Sequence, residues 1–345
     1  VDLTVGRADN VLDNIGAIAG PFSIGPVEEA TNIVTEQQLI NTFGKPISTD
    51  AQYEYWLSAS SYLSYGGVLK VVRVDGTTLN NANAAVGYAA TTSLKIKNYD
   101  DYQANWDGES VEYVYGSKNP GTWANNLKVC FIDDFADQTI GIATTNVSAW
   151  AQVGYGVTKA LNQAIPGIGT TAAFTGYLKG IVTGVTTDST NSVSSVNVKV
   201  TSRVSSAGTE TNISYAEGAT EAAFQKSDTI YFKTNAGVST GPTGANATAG
   251  TSAVTVEDWY DNQTLGLTNS LVYWKSLAPK PITNSYVADR SGYNDAINIA
   301  VVDDLGTVTG IQGQLLEKHV SISKAGDAIS GSNAPQKIYY KNYLA

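Results

Sequence analysis

The chain has no methionine, one cysteine (Cys130) and one histidine (His319) in 345 residues, and only 15% of it is charged. One histidine rules out a multi-histidine metal site and leaves no second imidazole to support a nucleophile–base pair. A single cysteine rules out a disulfide framework within the chain. No Lys/Arg cluster occurs anywhere, the net charge is −10 and the pI is near 4.6, which argues against nucleic acid as a partner because phosphate binding needs a basic footprint. No apolar run approaches the roughly 20 residues that a helical membrane span needs, and no signal peptide opens the chain, so no membrane partner is expected. The missing methionine extends to the first position, where Val1 opens a strand-like run, Val1–Val5. The other end stops in an aromatic run, Tyr339–Ala345, without punctuation, so the chain reads as an internal segment of a longer protein.

What is present is a chain that can fold. Its hydrophobic content, 42%, is enough for a sizeable interior, and its length is more than one compact core usually holds, so roughly two or three domains are expected. An ordinary soluble domain carries about 25% charged residues. Here Ser, Thr, Asn, Gly and Tyr fill the polar places instead, and such a surface desolvates cheaply against a partner. The same composition also suits a β-rich protein with many turns.

The first part reads as α/β. Ile15–Gly20 is a short strand closed by Pro21, and Thr35 with Gln38 has the form of a capping box for a helix that ends at Gly44, before Pro46. A second helix is predicted from near Asp50 to Tyr65, with Ala51, Tyr55, Ala59, Tyr62 and Leu63 on its apolar face. Val68–Val74 reads as a strand apolar on both faces. After Asp75 the character turns to β: Val111–Tyr115, Leu127–Ile132, the alternating Val196, Val198 and Val200, and Thr229–Lys233. Ser148–Leu161 fits helix and strand equally. Asn235–Ser252, dominated by Gly, Thr, Ala and Ser, reads as a loop or linker. A short helix over Thr255–Gln263, a boundary at Pro279 and Pro281, and a buried strand Ile297–Val302 follow. Asp303–Gly306 then makes a turn, with Thr307–Thr309 and Leu315–Ser323 as strand or helix. The fold class is therefore mixed α+β and α/β: one α/β core domain from both flanks, 1–75 and 280–345, with a β-rich domain, 76–279, inserted between them and a flexible loop near 235–252.

No residue constellation points to catalysis, and no cofactor is implied. His319 lies in a run with Leu316 and Val320, as a partly buried or surface histidine. Asp100-Asp101, Asp133-Asp134 and Asp303-Asp304 are sequence-adjacent pairs, which cannot face one another across a substrate as a glycosidase requires, and all sit at strand ends or turns where Asp caps. The run Asp133–Asp137 lacks the spacing of a calcium loop. Gly154-Tyr155-Gly156 and Gly167-Ile168-Gly169 lack the context of a dinucleotide site, and Phe43-Gly44-Lys45 lacks the upstream glycine of a phosphate loop.

The most distinctive segment is Lys118–Leu127, KNPGTWANNL. It has no acid, base or nucleophile. Physically it is a rigid turn, Pro120-Gly121, that delivers Trp123 towards a hydrophobic socket, with Asn125 and Asn126 placed to bond the local backbone. It resembles the Pro-Gly-Thr-Trp-Gly-Asn type of motif in tail sheath proteins of contractile-tailed bacteriophages and related injection machines. Thr35–Pro46 (TEQQLINTFGKP) followed by Tyr53–Val74 resembles that family's early helix–helix–strand unit. Asp258–Pro281 and Ser291–His319 resemble its return to the same domain. The likeness covers both flanks and the start of the insertion, and only loosely 136–250; its flavour is that of sheaths of large contractile phages, including those of cyanobacteria.

The resemblance implies a structural protein rather than an enzyme. Sheath subunits form hexameric rings stacked helically around a rigid tube, and contraction drives the tube through the host envelope for genome delivery. The implied partners are further copies of the chain, the tail tube protein, and the baseplate and tail terminator proteins, in a virion tail assembled in the host cytoplasm. In the family, N- and C-terminal arms add strands to sheets of neighbouring subunits; this sequence opens near where the first arm ends and stops before the tube-facing C-terminal domain. Two other readings remain at this stage. One is a phage adhesin or fibre with a carbohydrate-binding β-domain, whose Tyr and Trp rings would stack on sugars. The other is a hydrolase with carboxylates from different strands.

Overall fold

The computed structural model describes residues 14–84, 93–106, 114–143, 150–164, 173–205, 207–233, 250–330 and 335–344. The run Val1–Val5, Gly167–Gly169 and most of the 235–252 stretch lie outside the described residues. The chain is mixed α and β with few helices and mostly strands. It divides into two compact units, the first taking residues up to Leu127 with Asp303–Gln314, the second Lys128–Val302 with Leu315–Leu344.

In the first unit, β1 (Ile15–Gly20), β2 (Ala30–Ile33) and β3 (Val68–Arg73) form a sheet in the order β1-β3-β2, with β1 parallel and β2 antiparallel to β3. Between them come α1 (Glu36–Phe43) and α2 (Gln52–Ser64). The cap of α1 is built as the sequence predicts: Thr35 Oγ1 accepts from the Gln38 N–H, and Gln38 Oε1 accepts in return from the N–H of Val34, at 2.9 Å. Gly44 closes the helix at φ 88°, where a side chain would be strained.

The apolar face of α2 is rotated from expectation. Gln52, Trp56, Ala59 and Leu63 are its buried residues, while Tyr55 is 41% exposed. The reason is polar. Trp56 Nε1 donates to Gly44 O, and Gln52 donates to Lys45 O and accepts from the Ile47 N–H, so this face holds the loop that follows α1. The rings of Tyr55 and Tyr62 lie on Gly20 and Gly16 of β1, so close that a Cβ at either glycine would meet them at 2.7 Å. In β3, Leu69, Val71 and Arg73 are buried but Lys70 is exposed, so the strand alternates and is not covered on both faces. Phe22, Ile33, Leu39, Phe43, Trp56 and Leu69 are among the residues of the core beneath it. The rest of the unit contains a short ladder of β4 (Asn83–Ala84) with β5 (Tyr115–Gly116), and α3 (Tyr99–Asn105), capped by Asn98. Of the predicted strand Val111–Tyr115, residues 111–113 lie outside the described residues.

The second unit starts with β6 (Leu127–Asp133) and leads into a barrel. Its strands are β7 (Gln138–Ile142), β8 (Gly156–Ala164), β9 (Ala173–Thr187), β10 (Val193–Ser205), β11 (Glu210–Asn212), β12 (Thr229–Lys233) and β13 (Thr251–Asp258). The sheet order is β11-β10-β7-β13-β12-β8-β9, and β9 also pairs with β10, which closes the sheet on itself and leaves the short β11 at an edge. The period of two in β10 puts Val196, Val198, Val200 and Val204 inside, where Ile140, Leu178, Phe224, Ile230 and Phe232 are also buried. The predicted helix at Thr255–Gln263 is a strand as far as Asp258, followed by a single 3₁₀ turn, Tyr260–Asn262. In Thr251–Asp258, Val254 and Val256 alternate with Ala253 and Thr255, and pairing with β7 overrides the Thr cap signal.

After the barrel come α4 (Ser285–Ala288), β14 (Ala296–Asp303), β15 (Gln314–Ser323) and α5 (Tyr340–Leu344), with a sheet in the order β15-β14-β6. The central β14 is buried on both faces, which explains why its residues are apolar apart from Asn298 and the terminal Asp303. Thr307–Thr309 is neither strand nor helix; it belongs to a loop organised by Asp303, described below.

Candidate functional site

The Lys118–Leu127 segment is anchored through Pro120 O to one buried cation, Arg73. Arg73, 2% exposed at the end of β3, donates from Nε to Phe22 O (2.6 Å), from Nη1 to Gly25 O (2.8 Å) and Pro120 O (2.7 Å), and from Nη2 to Ser23 O (2.9 Å). One guanidinium thereby ties the turn after β1 to the Pro120-Gly121 turn, each about 50 residues from Arg73 along the chain. Its fork of fixed donors suits this task, because a lysine could not reach four divergent carbonyls. Burial pulls the Arg73 pKa down to about 10 while the Asp75 carboxylate pulls it back up. It remains charged at neutral pH. The Asp75 pKa is lowered because Lys95 hydrogen-bonds and pairs with it at 2.7 Å.

Gly121 has φ 136°, a region nearly closed to other residues, and its N–H donates to Asn80 O. A Cβ there would stand 2.9 Å from the Trp123 ring, 3.0 Å from Ser23 O and 3.1 Å from an Arg73 nitrogen. Neighbouring Asn81 is buried and acts as a second tie: its side chain accepts from the Ile96 N–H and donates to Ser117 O, both at 2.7 Å. Thr122–Ala124 then forms one 3₁₀ turn. Pro120, Gly121 and Ala124 are buried; Trp123 is half-buried, and its indole Nε1 is buried without a hydrogen-bond partner. Asn125 is exposed and Asn126 half-buried, and their bonds are made by backbone: the Asn125 N–H donates to Thr122 O, and Asn126 O accepts from Asp304 N. Arg73 is the residue that motif reading missed. Its signal was an arginine at the same phase as Leu69 and Val71, the inward residues of the strand.

The carboxylate pairs serve structure. Asp101 Oδ2 accepts from the Lys97 N–H at the start of α3, and Oδ1 accepts from Asn105. Asp303, fully buried, accepts from the N–H groups of Thr307, Val308 and Thr309 and from the Thr309 hydroxyl. Burial pushes its pKa up, but these donors outweigh that and hold it below the ordinary value. Asp134 does more than cap a turn. With Asp137 it forms an ion-pair network to Lys199 of β10 and to Lys280, including Lys280–Asp137 at 2.7 Å and a close Lys199–Asp134 contact. Asp137 also accepts from the Val200 N–H. Burial works against the Lys280 charge, but Asp137 and Asp134 overcome it and raise its pKa.

His319 sits 3.4 Å from Glu317 and edge-on to the Tyr343 ring. Cys130 is buried, its thiol donating to Leu265 O. Among the described residues no group of three or more His, Cys, Asp or Glu side chains is placed to hold a metal ion, and no helix is long and apolar enough to cross a membrane.

No family model matches the chain. Part of it is similar to two tail sheath proteins. That of Enterobacteria phage T4 is 40% identical over 100 residues, 28% of this chain and 14% of that protein. That of Vibrio phage KVP40 is 32% identical over 96 residues, 27% of this chain and 14% of that protein. The matched stretch thus spans about a seventh of each relative's length. Over that stretch, the chain is similar to the tail sheath proteins of these two phages.

Proposed function

We propose that the chain is part of a structural subunit of a contractile tail sheath, forming stacked hexameric rings around the tail tube and contracting to drive that tube through the host envelope. The similarity to the two tail sheath proteins carries this reading. In support, the most distinctive segment of the sequence is a joint of carbonyls around Arg73, with no acid, base or nucleophile among the groups it brings together. A charge-poor surface with exposed Tyr65, Leu271, Ile282 and Tyr293 suits permanent contacts. On this reading the partners are further copies of the chain, the tube protein, and the baseplate and tail terminator proteins, in a virion tail assembled in the host cytoplasm. Strand addition from neighbouring subunits is the expected linkage. The domain division belongs to the same proposal: 1–75 with 280–345 as the sheath core and 76–279 as the outward insertion, with Pro120, Gly121, Trp123, Asn125 and Asn126 as a structural motif without catalytic duty.

Antibody raised against the chain tests the location. Gold label should decorate the whole length of the tail on particles of the phage that encodes it. Label confined to fibres or the baseplate would overturn the sheath reading.

A further inference from the structure

In the second unit, a cavity of about 210 Å³ opens where β6 meets the two chain segments that lead into and out of the barrel. Its apolar lining includes Phe131 and Phe135, which are 64% and 43% exposed, and Trp259, whose ring lies 5.8 Å from that of Phe135. Phe131 is a large exposed ring on β6, an edge strand of its sheet. The polar lining, Asp133, Gln263 and Thr264, offers side-chain oxygens that can accept. Asp133 Oδ2 pairs with Lys324 at 2.9 Å, and the Gln263 amide nitrogen donates to Trp259 O. That leaves Asp133 Oδ1, Gln263 Oε1 and the Thr264 hydroxyl without partners among the described residues.

We propose that this cavity is a binding site for one ring of a neutral pyranoside. A pyranose has an apolar C–H face for the aromatic wall and a rim of hydroxyl donors for the acceptors. The volume is below the roughly 300–1,000 Å³ of sites for drug-sized ligands, which limits the occupant to about one ring. A cation would use the same aromatic rings, but Lys324 already neutralises the only carboxylate in the lining. The inference stands apart from the sheath reading and does not depend on it.

Saturation-transfer NMR on the chain tests it, with the methyl glycosides of glucose, galactose, mannose and N-acetylglucosamine as probes and tetramethylammonium as the cation control. Transfer to the ring C–H protons of at least one glycoside is expected. Phe131→Ala should weaken that binding about two- to tenfold, as the loss of one stacking contact implies, with the melting curve unchanged. Thr264→Val should weaken it while leaving the aromatic wall intact. Transfer to none of the four glycosides overturns the proposal, as does transfer to tetramethylammonium alone, or equal transfer in a folded Phe131→Ala variant.

Discussion

Each unit holds positive charge, fully buried at Arg73 in the first and half-buried at Lys199 and Lys280 in the second, and they neutralise it by opposite means. In the first, the Arg73 guanidinium meets four backbone carbonyls and no carboxylate within hydrogen-bond range. In the second, Lys199 and Lys280 meet Asp134 and Asp137. Carbonyl dipoles neither titrate nor bind counterions, so the arginine joint is insensitive to pH and salt across the ordinary range. Paired charges depend on both partners keeping theirs, and removal of one leaves the other stranded. The comparison shows why the Pro-Gly-Thr-Trp turn can be distinctive in sequence without being reactive: its Pro120 carbonyl is committed to holding one cation.

The largest expected effect breaks the arginine joint. Arg73→Met should cost about 3–5 kcal/mol, because several buried carbonyls lose their donor together; urea unfolding followed by fluorescence measures it, and a loss below about 1 kcal/mol would mean the carbonyls have other partners. Asp137→Asn should cost about 2–4 kcal/mol, since Lys199 and Lys280 then share Asp134 alone. Unlike the Arg73 variant, its deficit should shrink in high salt. Gly121→Ala comes next, at about 1–3 kcal/mol, from the strained φ and the contact with Ser23 O.

Titration separates the regions by direction. The raised Lys280 pKa gives stability that is complete below the ordinary lysine value of 10.5 and is lost as pH rises through its elevated value. The depressed Asp303 pKa gives stability that is complete above the ordinary value of 3.8 and is lost as pH falls through its lowered value. Hydrogen exchange should therefore show the Lys280 region opening first in alkali and the 303–314 loop opening first in acid; the reverse order would contradict the assignments. The smallest effect belongs to Trp123. Trp123→Phe keeps most of the ring and removes an indole N–H that has no partner, so it should stay within about 1 kcal/mol of the parent in a thermal melt.

Much of this fold was legible where local chemistry decides it. The α1 cap, Gly44 as its stop, the alternation in β10 and the Asp303 turn all follow from side chains acting on nearby backbone. What stayed hidden depended on distant partners. The face of α2 rotated because Gln52 and Trp56 hold a loop, which no periodicity encodes. Thr255 reads as a helix cap, but pairing with β7 makes it strand. Barrel closure rests on β9 meeting both β8 and β10, a pairing that spacing cannot reveal. In the candidate site, the Pro120-Gly121 turn was visible as a motif, whereas the arginine that gives it a purpose lay about 50 residues upstream in a strand.

Negative-stain electron microscopy of the full-length gene product, expressed alone and with its tube protein, tests the central claim most directly. Hollow tubes or stacked rings of constant diameter are the predicted result; isolated monomers or trimers under both conditions would contradict it.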